Sequence, residues 1–468
     1  MNSYINRGLR RPGKLSTKFS IKELKEEQDL KIKYLGAKED ELVSFVKFYL
    51  KNSTKSISSR FNNQLFSGHN KAALVGDLLA AVTNTTMATF EASPVGTLLE
   101  EELVDSINRI IGFTNKGNKG EGIMTTGGSQ ANMLALICAR NNSIKECKNK
   151  GVYGESLVGF VSEDCHYSFA KMFNIIGIGS ENLLKVKTDS NGQMDTLDLE
   201  KKIQTSVTHG KKPFFIGATA GTTVYGAFDP IDKVSKIAEK YNIYLHVDGA
   251  WGGPVIFSQK HFDLIKGIEK VDSFSMDAHK LLGVPLTATF FLVKKSGTLL
   301  SNFSEDNSEY LFHQDSNENI NLGPKSIQCG RRVDALKVWF SWKAKGYSGL
   351  EQIVDKNINT MQCIVNYIKS VPELEIIKNP MYLNVCFRIK SNSNIPTQNS
   401  DLLKVRGRLI ENNDFYINYS KDKNGLLFFR LIVLNLNTKL KEYYLLIDKI
   451  LKYSRELVNT KNDTIIAT

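Results

Sequence analysis

Two short stretches carry residue types that could do chemistry. "IYLHVDGAWGG", Ile243 to Gly253, reads as a buried strand that ends on an acid, Asp248. "DSFSMDAHKLLG", Asp272 to Gly283, reads as a second apolar segment that ends on His279 and Lys280. An acid and a primary amine, each just past a strand, are spaced to hold a cofactor between them. A third stretch, "GIMTTGGSQANMLALICARNNS", brings a short apolar run to Gly127, Gly128 and Ser129 and then to a helical pattern from about Gln130 to Arg140. Glycines let a ligand approach the backbone, a helix start offers unpaired N–H groups, and Ser129 adds a hydroxyl. The result is a cup for a phosphate. Its glycine spacing is not the dinucleotide fingerprint, and no Lys-Ser/Thr pair closes it as a nucleotide P-loop.

The elements that must position these groups alternate. "LVGFVSEDCHYSFAKMFNIIG" gives a strand, His166 and a helix; "KKPFFIGATAGTTVYGAFDPIDKVSKIAEKYN" gives a strand, a turn after Thr219 and a helix. Val-, Ile- and Phe-rich strands separated by helices predict an α/β fold with a mainly parallel sheet covered on both faces. In such sheets ligands sit at the C-terminal ends of the strands. His166, Thr219, Asp248, His279 and Lys280 all fall at such ends.

Outside this block the chain is less regular. Residues 1–60 read as an arm plus a helix, "EDELVSFVKFYLKN", with Leu42, Phe45, Val46, Tyr49 and Leu50 on one stripe. An arm of this kind needs a surface to pack on, and a second subunit would supply one. "FNNQLFSG", with Gln64 at its centre, reads as a contact loop or a plain connector. Residues 61–345 form the expected large domain, and residues 346–468 a small α+β domain. A polar stretch, 294–328, is long for an unstructured connection and contains Tyr310 in "EYLFHQD"; a mobile loop is expected there.

Composition narrows the class. The chain has 468 residues, 41% of them apolar and 24% charged, as a soluble multidomain protein would. The net charge is +12, but the basic residues are spread along the chain, so no nucleic-acid partner is expected. No apolar run is long enough for a membrane span, and no apolar signal core follows the N-terminus. The six cysteines form no CxxC pair, which predicts a reducing, cytoplasmic setting and no metal site.

One cofactor matches the candidate groups together. An amine captures an aldehyde as a Schiff base, an acid keeps a ring nitrogen protonated, a glycine turn takes a phosphate, and an imidazole stacks on the ring. Lys280, Asp248, Gly128 with Ser129, and His166 fill those needs for pyridoxal 5'-phosphate.

From about Phe61 to Leu434 the sequence resembles the group II pyridoxal-phosphate-dependent amino-acid decarboxylases. The blocks that carry the likeness are "NTTMATFEASPVG", "TTGGSQANMLAL", "CHYS", "ATAGTTVYGAFDPI", "HVDGAWGG", "HKLLGVPL", "QCGRRVDALKVWFSWKAKG" and "LLFFRLIV". The resemblance implies an aminotransferase-like fold (fold type I) with a seven-stranded, mainly parallel sheet. It also implies a homodimer with shared active sites, in which the arm and the Gln64 loop complete the neighbour's site. It assigns Lys280 to the Schiff base, Asp248 to the ring nitrogen, His166 to stacking, Thr219 and Ala250 to the ring's flanks, and Gly128 and Ser129 to the phosphate. His279 would lie near the phosphate or the lysine. Tyr310 would protonate the carbanionic intermediate, Arg430 would hold the substrate's α-carboxylate, and Gln64 would reach its side-chain acid.

Two positions depart from the family pattern. Asp277-Ala278 stands where Asn-Pro is more frequent, and an ionised Asp277 would repel a phosphate unless turned away. Gly249 replaces a usual Ala, which suggests added backbone freedom. "QCGRRVDALKVWFSWKAKG" resembles the branch that takes acidic substrates. L-Aspartate, decarboxylated to β-alanine, is the first expectation, ahead of L-glutamate and L-cysteine sulfinate. An aminotransferase or other lyase of the same fold is the less favoured alternative.

Overall fold

The computed structural model describes residues 20–66, 68, 70–144, 146–305, 311–312, 320–390, 399–435 and 438–466. They fall into two compact units. The larger comprises His69–Asn359 with Lys378–Asn384, and the smaller comprises Met1–Gly68, Thr360–Ile377 and Val385–Thr468. Strands are numbered in chain order; β1 (Phe61–Asn62) belongs to the smaller unit.

The larger unit is built on seven strands: β2 (Glu121–Thr125), β3 (Leu157–Ser162), β4 (Leu183–Val186), β5 (Lys212–Thr219), β6 (Tyr244–Gly249), β7 (Ser273–Asp277) and β8 (Thr289–Val293). Their order across the sheet is β2-β8-β7-β6-β5-β3-β4. The pairs β4–β3, β3–β5, β5–β6 and β6–β7 are parallel. Only β8 runs against its neighbours, β7 and β2. Two reversals restore direction, so β2 points the same way as β7. The C-terminal ends of β2, β3, β5, β6 and β7 therefore share one edge. The sheet is mainly parallel, as expected, and its central strands are buried on both faces, which explains their apolar runs.

The helix Gly128–Ser143 packs on this sheet through Ala131, Leu134, Ala135 and Cys138, an i, i+3, i+4, i+7 stripe. It starts two residues earlier than the sequence pattern suggests. The carbonyl of Gly127 accepts from the N–H groups of Gln130 and Ala131, which winds the glycine turn directly into the first helical turn. Gly249 also differs from expectation. A Cβ there would lie 2.3 Å from Phe274 Cε2 and 2.7 Å from the Ser275 carbonyl oxygen. The residue is glycine because β6 packs against β7 without room for a methyl, not because the backbone needs freedom.

The polar stretch 294–328 is not a continuous loop. Thr298–Phe303 is a helix that buries Leu299, whose N–H donates to Glu121 Oε1 at 2.7 Å. Tyr310 lies outside the described residues. The acidic-branch motif after this stretch has structural work. Arg331 is buried and donates to Glu100, to the Met87 carbonyl at 3.2 Å and to the Met124 carbonyl at 3.0 Å. Buried Lys337 donates to the Thr287 carbonyl at 2.7 Å and pairs with Asp334 at 2.7 Å. Both cations are desolvated, and each is matched by a carboxylate and carbonyls, as burial of charge requires.

The smaller unit has a second sheet of β1, β9 (Leu374–Ile376), β10 (Asn384–Ile389), β11 (Tyr416–Lys421) and β12 (Leu427–Ile432), in the order β1-β11-β12-β10-β9. β1 pairs in parallel with β11, and the Phe61 and Tyr416 rings stack at 5.8 Å. That pairing draws the start of the chain into a unit made mostly of its end. The helix Glu39–Asn52 buries none of its residues; Leu42, Phe45, Val46 and Tyr49 are all exposed.

Candidate active site

A cavity of about 520 Å³ opens at the edge where the five strand ends meet in the larger unit. The topology explains its lining: Gly128 follows β2, His166 follows β3, Thr219 ends β5, Asp248 lies near the end of β6, and Lys280 follows β7. Ser129, Ala250 and His279 line it too. These eight, all assigned to the cofactor from the sequence, come together in one place.

Lys280 is held by Asp277. Its Nζ lies 3.0 Å from Asp277 Oδ2, while Asp277 Oδ1 accepts from the Thr289 hydroxyl at 2.7 Å. His279 Nε2 is 3.5 Å from the same Oδ2, and His279 Nδ1 sits 3.0 Å from the Ala288 carbonyl oxygen. Burial holds the His279 imidazolium pKa below its ordinary value. Asp277 is not turned away from the cavity. Its carboxylate oxygens are 3.3 and 3.4 Å from where a Cβ on Gly128 would stand. The acid that breaks the family pattern thus lies beside the glycine turn and is neutralised in part by Lys280.

Asp248 is 5% exposed, and each of its oxygens accepts a hydrogen bond. Asn132 Nδ2 donates to Oδ2 at 2.8 Å, and the Ala250 N–H donates to Oδ1 at 3.0 Å. A carboxylate has about four acceptor sites, so capacity remains for a donor from the cavity. His166 Nδ1 accepts from the Ser168 N–H at 3.3 Å and pairs with the Ser168 hydroxyl at 2.8 Å. Burial also lowers its pKa, with Asp248 opposing that shift.

The cavity suits pyridoxal phosphate on grounds internal to the fold. The Thr219 hydroxyl is buried without a hydrogen-bond partner, an unpaired donor at the cavity wall. Gly127 has φ +153°, a conformation side chains rarely adopt, and a Cβ on Gly128 would come 2.9 Å from Ala250 Cβ. The turn therefore remains bare backbone at the start of a helix, where N–H groups and the helix dipole favour an anion. An amine and a buried carboxylate complete the donor set.

Two assigned residues belong to the smaller unit. Arg430 is buried on β12 of the smaller unit, where its Nη2 donates to the Asn63 carbonyl at 3.2 Å. Gln64 follows β1 in that unit and is exposed. Tyr310 is outside the described residues. Sequence reasoning missed Asn132 and Ser168, which contact Asp248 and His166. The available signal was a polar side chain in the buried stripe of "SQANMLALICA", where an apolar residue would be the default.

Comparison with known proteins agrees with this geometry. Residues 22–390 match the family model described as the pyridoxal-dependent decarboxylase conserved domain. The chain is 35% identical over 425 residues to rat cysteine sulfinic acid decarboxylase, covering 88% of this chain and 85% of that protein. It is 34% identical over 440 residues to bovine acidic amino acid decarboxylase GADL1, covering 92% and 84%. The crystal structure of mouse CSAD superposes with a TM-score of 0.91 at 31% identity, over 97% of this chain and 96% of that one. With its cavity, its sheet and its sequence in agreement, the chain belongs to the pyridoxal-phosphate-dependent group II amino-acid decarboxylases and is a carboxy-lyase.

Proposed function

We propose that this enzyme decarboxylates a short acidic L-amino acid, with L-cysteine sulfinate as its preferred substrate. The observation that carries the choice is the 35% identity to a cysteine sulfinic acid decarboxylase over 88% of the chain. The first expectation, L-aspartate to β-alanine, moves to second place. Aspartate stays close because its carboxylate sits on the same carbon as the sulfinate, so one acid-binding site takes both. Glutamate is a methylene longer. A pocket separates such neighbours by only about 1–3 kcal/mol.

The roles proposed for individual residues follow from their chemistry and from the family resemblance. Lys280 would hold the cofactor's aldehyde carbon as a Schiff base, Asp248 would accept from its ring N–H, and His166 would stack on the ring. Ala250 packs at its flank, and the Thr219 hydroxyl donates to a polar group of the cofactor. Gly128 and Ser129 take the phosphate, with His279 near it. When bound, pyridoxal phosphate supplies the sink for the electron pair left as CO2 departs. Arg430 clamps the substrate's α-carboxylate and Gln64 contacts its side-chain acid; a planar guanidinium suits a carboxylate. Tyr310 would hold the proton that goes to Cα.

A homodimer fits the exposed stripe of the helix Glu39–Asn52, where Leu42, Phe45, Val46 and Tyr49 face outward. No helix among the described residues is long and apolar enough to cross a membrane. The six cysteines, none of them in a disulfide, suit a reducing, cytoplasmic setting.

The test is CO2 and amine release by cofactor-loaded protein given L-cysteine sulfinate, L-aspartate and L-glutamate separately. The highest kcat/KM is expected for cysteine sulfinate, with aspartate next. Aspartate or glutamate ahead of it overturns the substrate choice. Arg430→Met should raise KM for every substrate that turns over.

A further inference from the structure

A buried chain of hydrogen bonds runs behind the cavity, and one amide stands at its branch point. Asn132 Nδ2 donates to Asp248 Oδ2 at 2.8 Å and to Ser168 Oγ at 3.0 Å. Asn132 Oδ1 lies 3.0 Å from His246 Nε2, and His246 Nδ1 lies 2.8 Å from Ser273 Oγ. Asn132, Ser168, His246 and Ser273 are each no more than 1% exposed, so water does not compete.

The proton directions in this chain follow by elimination. A carboxylate oxygen accepts, so the amide nitrogen faces Asp248 and the amide oxygen faces His246. His246 then donates from Nε2. It is packed among Phe169, Phe215 and Phe291, and burial drops its pKa to about 4. It is therefore neutral, and Nδ1 accepts the Ser273 hydroxyl proton. On the other branch Ser168 Oγ accepts from Asn132 and donates a hydrogen bond to His166 Nδ1, which the Ser168 N–H also approaches. His166 consequently presents Nε2–H. Each link has one orientation, and His246 anchors the set to the sheet.

We propose that Asn132 is a positioning residue that sets two cavity groups at once: it aims the Asp248 carboxylate, and through Ser168 it fixes the ring orientation and tautomer of His166. This rests on the assignment of Asp248 to the cofactor's ring nitrogen. Without the amide, the Asp248 carboxylate loses a hydrogen-bond donor and its fixed aim at the ring nitrogen. The ring nitrogen is then less protonated and a weaker electron sink.

The experiment uses the holoenzyme loaded with pyridoxal phosphate carrying an isotopic label at the ring nitrogen. Ring-nitrogen NMR, cofactor stoichiometry and kcat/KM are recorded for wild type, Asn132→Ala and Asp248→Ala. Asn132→Ala is expected to keep its cofactor, move the resonance toward the unprotonated form and lower kcat by about 10- to 100-fold, the scale of one hydrogen bond to a charged group. An unchanged resonance in Asn132→Ala beside a changed one in Asp248→Ala overturns the inference and leaves the Asp248 assignment standing. No change in either variant overturns both. Should Asn132→Ala fail to fold, His246→Phe serves, because its aromatic surroundings accept a ring. Losing the anchor of the amide should move the resonance the same way by less, and an unmoved resonance counts against the proposal.

Discussion

Lys280 Nζ and Asp277 Oδ2 stand 3.0 Å apart, and the carboxylate is only 2% exposed. The amine that would capture the cofactor is thus held by a buried acid that also abuts the glycine turn. Attraction to Lys280 and repulsion of an incoming phosphate come from one side chain.

Asp277→Asn should tighten pyridoxal phosphate binding by about 10-fold, because a like-charge contact on the order of 1–2 kcal/mol is removed. Pyridoxal, which lacks the phosphate, separates the two effects. If Asp277 acts on the phosphate, the gain is confined to the phosphorylated form. Equal gain with both would mean that it acts through Lys280, and weaker binding of both would mean that it orders the lysine.

Lys280→Ala should remove the visible absorbance of covalently held cofactor and lower turnover by at least about 1,000-fold. Lys280 is 21% exposed, and circular dichroism separates loss of the amine from loss of the fold. Retained turnover would dismiss the lysine assignment.

Thr219→Val exchanges an unpartnered buried hydroxyl for a methyl of similar size. Leaving such a group unsatisfied costs about 1–3 kcal/mol. Without cofactor the variant should melt no lower than wild type, and with cofactor it should gain less from ligand. A variant that melts lower without cofactor would indicate a partner for the hydroxyl inside the fold.

His246 makes a pH-dependent contribution of known sign. Burial lowers its pKa from 6.5 to about 4, so between these values the unfolded chain binds more protons than the folded one. Its contribution is complete above about pH 6.5 and is lost as the pH falls toward 4, by about 3 kcal/mol in all. Asp229 runs the other way: burial raises it to about 7, so its contribution falls as pH rises from 3.8 to that value. Chemical unfolding of wild type and His246→Phe at pH 4.5 and 7 isolates the histidine. The variant's disadvantage should shrink at the lower pH; a constant difference would refute the assignment.

The sequence by itself determined the fold class and most of the cavity. Alternating apolar runs and helices require a parallel sheet, and parallel sheets gather their strand ends on one edge. Motifs that follow strands, such as Gly127-Gly128-Ser129, His166 and Lys280, could therefore be grouped before any coordinate was known. Their residue types then named the cofactor. What tertiary structure alone decided is which side chains face one another across the strands. Asn132 and Asp248 are 116 positions apart, and their 2.8 Å contact exists only because the helix Gly128–Ser143 packs on β6. Asp277 read as a repulsive misfit in the linear chain, but the turn after β7 supplies its counter-charge in Lys280. Gly249 read as freedom, and the spacing of β6 against Phe274 makes it a constraint. Periodicity encodes which face of an element is buried; it does not encode the neighbour met there, because that depends on how separate elements pack.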